Sequence, residues 1–594
     1  MLGKRSVQQG MFEADTLYGE FVGRRTFYGY LASQRYELFR DVDFAELYCQ
    51  DNGRPSVPPS LLATALVLQT YDGVSDDEAT RRAAFDLQWK VALGVEVNVR
   101  PFAKSTLQEF RAQLLVKDKT RAIFQRSLEM AKRRGMWKKG QAPQERQHIK
   151  VALDTTYILG RGAVRDTYNL LADGIVQVLR ALATLGPYDL LELAEELGCT
   201  RYVSGSSLKG QAEVDWTDPQ ARQQFLAEIV ADADQLLDLV RGTRAELVPD
   251  SDQDQELVAA AEVLARILAQ DIERDESGPR LKRGVAPDRL ISVHDPEMRH
   301  GRKSSSHRFN GHKTQVAVDT DTQLITAVEV LPGNAADAER ALAVVEASEV
   351  ATGGLVEEVL GDCAYGAGET RAEFAAAGRT LIAKVPDLQN QGYFAKTDFR
   401  IDLDAGTCTC PHQQQAREFR AAKGGGGVFV FDAETCAACP LRAQCTRSLS
   451  GRTVQVHPHE ALLQHARELQ KSPAFGEIRR RRQVVEHRLA RLVQLGIRQA
   501  RYLGRTKTLF QVCVAAAVAN LTLLAATSTT LSATVENAVG RLLMLLAASL
   551  TLSSLLSAFE SHVSTIRHPV HADRAISALL TTIRPQLPPS RPAF

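Results

Sequence analysis

The segment Ile149-Lys150-Val151-Ala152-Leu153-Asp154-Thr155-Thr156 decides how the rest of the chain is read. Ile149, Val151 and Leu153 alternate with Lys150, Ala152 and Asp154, the period-two pattern of a half-buried strand. The pattern predicts a β-strand that closes on a carboxylate. Taken alone, an aspartate at a strand end serves a turn or a cap. Further strands follow after a long interval: Lys313 to Asp319 and Leu324 to Leu331, joined as a hairpin through Thr320-Asp321-Thr322, then Val356 to Leu360 running into Gly361-Asp362, then Leu381 to Val385. Between them the spacing predicts a helix with Ala338, Leu342 and Val345 and another from Glu369.

The order β, ββ, α, β, α, β is that of an RNase H-like α/β fold interrupted twice. In such a sheet the strands ending at Asp154 and Asp362 are neighbours, so two carboxylates from distant sequence meet at one edge. The next helical stretch, Glu477 to Lys507, holds ten Lys or Arg against two acids. Val485, Leu489, Leu492 and Gly496 recur on one face, with Arg482 and Glu486 four residues apart on a neighbouring one. By itself that pair is an ordinary ion-paired helix; beside Asp154 and Asp362, Glu486 becomes the third carboxylate. Hard oxygen ligands of this kind suit two magnesium (or manganese) ions, about 3.5–4 Å apart, in an in-line displacement at phosphorus.

A chain of 594 residues with 44% hydrophobic and 24% charged residues is of ordinary globular composition and long enough for several domains. The net charge of +1 excludes a simple basic nucleic-acid coat, but the charge is sectored. Residues 104–150 hold thirteen bases against four acids, and residues 189–256 sixteen acids against five bases. The N-terminus shows no apolar signal segment, so a cytoplasmic, non-membrane protein is expected. The uncharged stretches Leu509 to Thr527 and Leu542 to Phe559 read as buried helices, because Gln511, Asn520 and Thr522 would be costly in lipid.

Residues 1–145 are predicted to be helical. Pro58-Pro59-Ser60 opens an apolar helix, Ser75 with Glu78 fits a capping box, and Ser105 begins a helix with Leu107, Phe110 and Leu114. Short helices trailing into a basic segment suit DNA docking as well as a plain bundle. Five of the nine cysteines fall between 408 and 445, a pattern that in a cytosolic chain favours zinc over disulfides. Cys410, Cys436, Cys439 and Cys445 are the expected structural Zn²⁺ ligands, with Cys408 the spare and His412 an alternative ligand. Arg479, Arg480, Arg482, Lys303 and Lys313 are the expected DNA contacts; for Lys303 and Lys313 a solvated strand edge explains the charges equally well. Asn334 and Asp337 read as a turn and a helix start.

The quoted segments VALDTT (residues 151–156), LGDCAYG (360–366) and RQVVEH (482–487) resemble the three acidic motifs of DDE transposases from bacterial insertion sequences. The N-terminal PPSLLATALVLQTYDGVSDDEA and STLQEFR, and the middle segments DPEMRHGRKS, FNGHKTQVAVD and LPGNAAD, extend the resemblance over roughly residues 30–525. It implies that Asp154, Asp362 and Glu486 are the metal-binding triad. Arg479 stands where the family commonly has Tyr and Val493 where it has Lys, which leaves Arg488 or Arg491 as candidates for that basic function. Asp166, Asp295 and Asp319 compete with the two aspartates.

The expected organisation is an N-terminal all-α DNA-binding domain (1–145), an RNase H-like mixed-sheet catalytic core (146–159, 306–385 and 471–527), an acidic helical insertion (160–305), a small Cys-rich insertion (386–470) and a C-terminal helical tail (528–594). The implied function is a Mg²⁺-dependent DNA transposase. It would bind the terminal inverted repeats of its insertion sequence as a homodimer on double-stranded DNA, cleave the element ends, and join the 3′-hydroxyl to target DNA. An RNase H-like nuclease without strand transfer and a catalytically inactive DNA-binding regulator are the alternatives.

Overall fold

Residues 148–159, rich in β-branched and apolar side chains, form the central strand of a six-stranded mixed sheet in a computed structural model that describes residues 1–6, 10–49, 53–137, 147–386 and 390–527. In chain order the strands are β1 (His148–Leu159), β2 (Arg299–Arg302), β3 (Arg308–Asp319), β4 (Ile325–Pro332), β5 (Leu355–Leu360) and β6 (Thr380–Ile382). On one side β1 pairs antiparallel with β3, which pairs in turn with β4 and β2; on the other it pairs parallel with β5, which pairs parallel with β6. Central β1 is thus flanked by an antiparallel hairpin and by parallel strands reached through helical crossovers, the arrangement expected of an RNase H-like core.

β2 lies within the stretch read as helical insertion; it belongs to the main sheet because its backbone pairs with the first turn-proximal residues of β3. The β3–β4 hairpin closes on Asp319, whose buried carboxylate accepts from Thr322 Oγ1, the Asp321 backbone N–H and Trp137 Nε1 (2.8 Å).

Among the described residues, seven α-helices and the 3-10 helix Asp41–Leu47 lie between Ala14 and Arg133, ahead of the sheet. Pro59–Asp72 starts on a proline at its first turn, and Ser75 Oγ caps Asp76–Phe85 by accepting from Glu78 N–H. The second half of the expected capping box is missing, because the Glu78 carboxylate is taken by Arg81 and Arg82. Besides the Trp137 bond to Asp319, two side-chain junctions fasten this layer to the core. Arg121 donates to the Val328 carbonyl and the Glu329 carboxylate of β4. Asp76 accepts from Gln69, Gln108 and Arg111 of its own layer and from Arg501 (2.9 Å) beyond the sheet. Burial opposes ionisation of Asp76, but the hydrogen bonds from Arg111 and Gln69 outweigh it, so the carboxyl is held well below the usual range.

Between β1 and β2, helices Thr167–Ala183, Pro219–Arg244 and Asp252–Asp271 bury Leu171, Ile175, Ile229 and Leu264 in a core of their own. Between β6 and the helix Glu460–Lys471 the chain makes two three-stranded sheets of very short strands. The sequence predicts one short strand there, Val428 to Phe431 after Gly424 to Gly427, and Gly427–Val430 is the strand that forms at that place.

Residues 1–523 form one compact unit, and a second begins at Leu524. The helix Arg505–Thr527 is the one helix among the described residues long and apolar enough to cross a membrane, and two thirds of its most apolar window is buried in the protein. Asn520 explains the docking: its side-chain amide donates to the Ile325 carbonyl (2.8 Å) and accepts from the Ile325 N–H (2.9 Å), satisfying the edge of β4 as a strand would. The expected tail helices after residue 527 lie outside the described residues.

Candidate active site

The register of β1 and β5 sets the first two carboxylates. The last parallel pair is Ala152 with Leu360, and Asp154 and Asp362 each lie two residues past it. β1 continues to Leu159 beside β3, so Asp154 is mid-strand rather than terminal, at the point where its parallel neighbour gives out. Asp362 opens the short turn Cys363–Tyr365, its Oδ1 accepting from Ala364 N–H (2.9 Å). Asp154 Oδ1 accepts from Thr155 N–H (2.8 Å).

Glu486 comes from the helix Ala474–Leu492, which buries Val485, Leu489 and Leu492 and packs on β1 and β3. One turn earlier, Arg482 donates to Asp154 Oδ2 (3.2 Å) and pairs with Glu486, so a single guanidinium ties the first and third carboxylates together. The helix does not extend through Gly496, as the apolar spacing suggested. Gly496 adopts φ 89°, a left-handed conformation open to glycine, and the chain turns through Val493–Ile497 instead.

Asp154, Asp362, Glu486 and Arg482 line one cavity of about 560 Å³ with Lys303, Lys313, Asp337 and Arg498. Asp337 is a fourth carboxylate that its turn-like sequence context concealed; the helix after it begins only at Ala341. Arg488 and Arg491, the candidates for a basic residue, do not line this cavity, whereas Arg498 does. Its guanidinium lies 3.8 Å from the Tyr157 ring centroid and donates to the Tyr157 carbonyl (2.6 Å). Arg488 is instead buried against the Ala519 carbonyl (2.6 Å), and burial, with Arg491 nearby, lowers it to about 10. Arg491 contacts Gln494.

Arg479 lines an adjoining cavity of about 420 Å³ that shares Asp362 and Arg482, and Arg480 is exposed on the same helix. Lys303 sits on the exposed connection from β2 to β3; Lys313 is largely covered, bonded to Asp337. The competing aspartates are occupied elsewhere. Asp166 caps Thr167–Ala183, Asp295 faces His312 and the Gly504 N–H, and Asp319 closes the hairpin.

Burial pushes the Asp154 carboxyl up to about 6; Asp362 adds to the rise, while the Thr155 N–H and Arg482 oppose it. Between the usual value near 4 and this one, the folded chain holds a proton that the unfolded chain has lost. Stability therefore falls as pH rises through that interval, and the full cost is present above pH 6. Two pH units correspond to a ceiling of about 3 kcal/mol. Asp154→Asn is expected to unfold about 2–4 °C above the parent at pH 8 in metal-free buffer, and level with it at pH 4, in thermal scans monitored by circular dichroism.

In the Cys-bearing region, Cys410, Cys436, Cys439 and Cys445 line a single cavity of about 30 Å³. Burial raises the Cys445 thiol, with the other three adding to the rise against Arg452. Cys408 is fully buried among Phe399, Phe429 and Phe431, where burial lifts its thiol to about 11, and His412 is exposed outside the cavity. Among the described residues, no three His, Cys, Asp or Glu side chains stand in a ready-made metal-binding arrangement. By donor chemistry the carboxylate set suits a hard divalent cation and the thiol set a soft one.

Residues 409–525 match the family model described as Transposase DDE domain, and residues 33–113 match the one described as Transposase domain (DUF772). The first match takes in the four cysteines and Glu486, whereas Asp154 and Asp362 precede it. No curated protein and no solved structure matches the chain.

Proposed function

We propose that this DDE transposase of an insertion sequence, the family both matches support, binds its terminal inverted repeats, cleaves the element ends at the cavity lined by Asp154, Asp362 and Glu486, and joins the freed 3′-hydroxyl to target DNA. The observation that carries this reading is the β1–β5 register, which delivers two carboxylates from distant sequence to the cavity that the Glu486 helix covers. Two Mg²⁺ or Mn²⁺ ions held by the three carboxylates would supply Lewis-acid activation of the phosphate and of the attacking oxygen. The chain's own contribution is to keep Arg482 between Asp154 and Glu486, offsetting part of their charge before DNA arrives, and to present cations on both flanks of the cavity. Arg479, Arg480 and Arg482 form one flank and Lys303 the other. In this reading residues 1–145 carry the repeat-binding helices, 160–305 apart from strand β2 and 386–470 are insertions in the catalytic core, and a structural Zn²⁺ is held by Cys410, Cys436, Cys439 and Cys445. Cutting two ends in concert calls for a homodimer on DNA.

The deciding experiment incubates purified protein with a plasmid carrying both element ends and a second, target plasmid. Joined products support transposition. Cleavage without joining would leave a nuclease, and repeat binding without cleavage in Mg²⁺ or Mn²⁺ a regulator. Phosphate contact by the helix has its own signature. Arg479→Ala with Arg480→Ala should flatten the dependence of log affinity on log salt by about 2, equally on repeat and random duplexes, measured by fluorescence anisotropy.

A further inference from the structure

We infer that Lys313 and Asp337 act as one unit in the same cavity: Lys313 is a cation aimed at the reacting phosphate, and Asp337 is the positioning residue that holds it there. The inference rests on the carboxylate-cavity reading above and adds residues to it. Lys313 sits on β3 opposite Tyr157 of β1 and Leu331 of β4, so both neighbouring strands fix its backbone. Its ammonium donates to Asp337 Oδ1 (2.7 Å) and to the Ala335 carbonyl (2.8 Å). An ammonium has three N–H groups, so these bonds leave one for a ligand in the cavity that Lys313 lines. The side chain is only 13% exposed, which argues against a loose surface contact to the DNA backbone.

Asp337 is itself pinned. Gln315, two residues along β3, donates from Nε2 to the Asp337 carbonyl (2.8 Å) and to the hydroxyl of Tyr365 (3.2 Å). Tyr365 is fully buried and belongs to the turn that Asp362 opens. The loop bearing Asp337 is thus anchored to the same turn as the second carboxylate. Around a cavity with four carboxylates, Arg482 pairs with both Asp154 and Glu486 while Lys313 pairs with Asp337. An ammonium held at a fixed point beside the reacting phosphate stabilises charge as it develops on the phosphoryl oxygens, with no reorganisation at the moment of reaction. No proton leaves Lys313 in this role. Water forms the new P–O bond and gives up a proton to solvent, while the 3′ oxygen departs with the bonding pair and takes a proton from solvent.

The test is single-turnover cleavage of duplexes carrying the element's own ends, with binding of the same duplex measured in parallel without divalent metal. Lys313→Gln should lower the cleavage rate about 100-fold and change metal-free binding less than threefold. Lys313→Arg should recover about tenfold of that loss. Asp337→Asn should cost about tenfold, and Lys313→Gln with Asp337→Asn should be no slower than Lys313→Gln alone, because Asp337 acts through the lysine. Losses that multiply in the double variant, or an Asp337→Asn defect cured by replacing Mg²⁺ with Mn²⁺, would overturn the assignment and make Asp337 a ligand in its own right. Wild-type cleavage by Lys313→Gln would also overturn it. Asp154→Asn in the same assay separates the two levels. If it is inactive while Lys313→Gln is active, only the present inference fails; if it cleaves, the carboxylate-cavity reading fails first.

Discussion

Asp154→Asn, Asp362→Asn and Glu486→Gln each lower cleavage of the element ends by about three orders of magnitude or more, while binding to the terminal repeats stays within about threefold. The amides keep the shape of the carboxylates and remove only the charge a divalent ion needs. Residues that act as a unit are not additive, so the Asp154→Asn, Asp362→Asn double variant should be no slower than either single one. The three enter from different elements, a mid-strand position, a turn and a helix face, so a shared folding defect does not account for equal losses. End-labelled duplexes resolved on denaturing gels give the rates, and anisotropy gives the affinities. Retention of metal-dependent cleavage by any one variant removes that residue from the site.

Removing zinc from the purified chain should unfold the region from about residue 390 to 456 and leave the main sheet standing. That region's buried core is seven residues, Phe399, Cys408, Ala416, Phe429, Phe431, Val454 and Val456, and its strands are two to four residues long. A core of this size rarely supports a fold without a covalent or metal staple. The four thiols come from separate segments: Cys410 follows a strand, Cys436 lies in and Cys439 just after the helix Ala433–Ala437, and Cys445 closes Arg442–Cys445. A structural zinc ion in such peptides is worth about 10 kcal/mol or more at neutral pH. Chelation, or Cys436→Ser with Cys439→Ser, should therefore open residues 400–450 to limited proteolysis, with peptides identified by mass spectrometry. Cys408→Ser should keep one zinc per chain by elemental analysis. A parent protein purified without stoichiometric zinc, or a digestion pattern indifferent to chelator, defeats the assignment.

The sheet was legible because its strands carry their burial in the sequence. Alternation at Ile149, Val151 and Leu153 and the apolar run into Gly361-Asp362 are local signals, and parallel pairing then sets the two aspartates level. What escaped was what depends on contacts across the chain. Asp337 looks like any turn aspartate until β3 brings Lys313 beside it. Arg488 and Arg498 are equally basic in sequence, and only the turn at Gly496 sends one under the helix Arg505–Thr527 and the other into the cavity. Strand β2 was hidden because Arg299-His300-Gly301-Arg302, three polar residues and a glycine, carry no apolar period; they are strand because β3 offers an edge. The small sheets of the Cys-bearing region lack a pattern for the same reason: their strands are too short to show one.

The clasp between Asn520 and Ile325 bears on when the enzyme first becomes competent during synthesis. Central strand β1 is made early, yet its partners β3 and β5 pair with it across more than 150 residues of sequence, and the start of the β4 edge is satisfied by Asn520. Contacts this distant in sequence form late, since the intervening chain must be closed into loops first. On the ribosome, therefore, the N-terminal helices can assemble while the acids are still far apart. The nascent polypeptide passes through a phase in which it has its helical layer and not yet the carboxylate cavity, and the last stretch of the unit ending at Leu523 completes the sheet's cover.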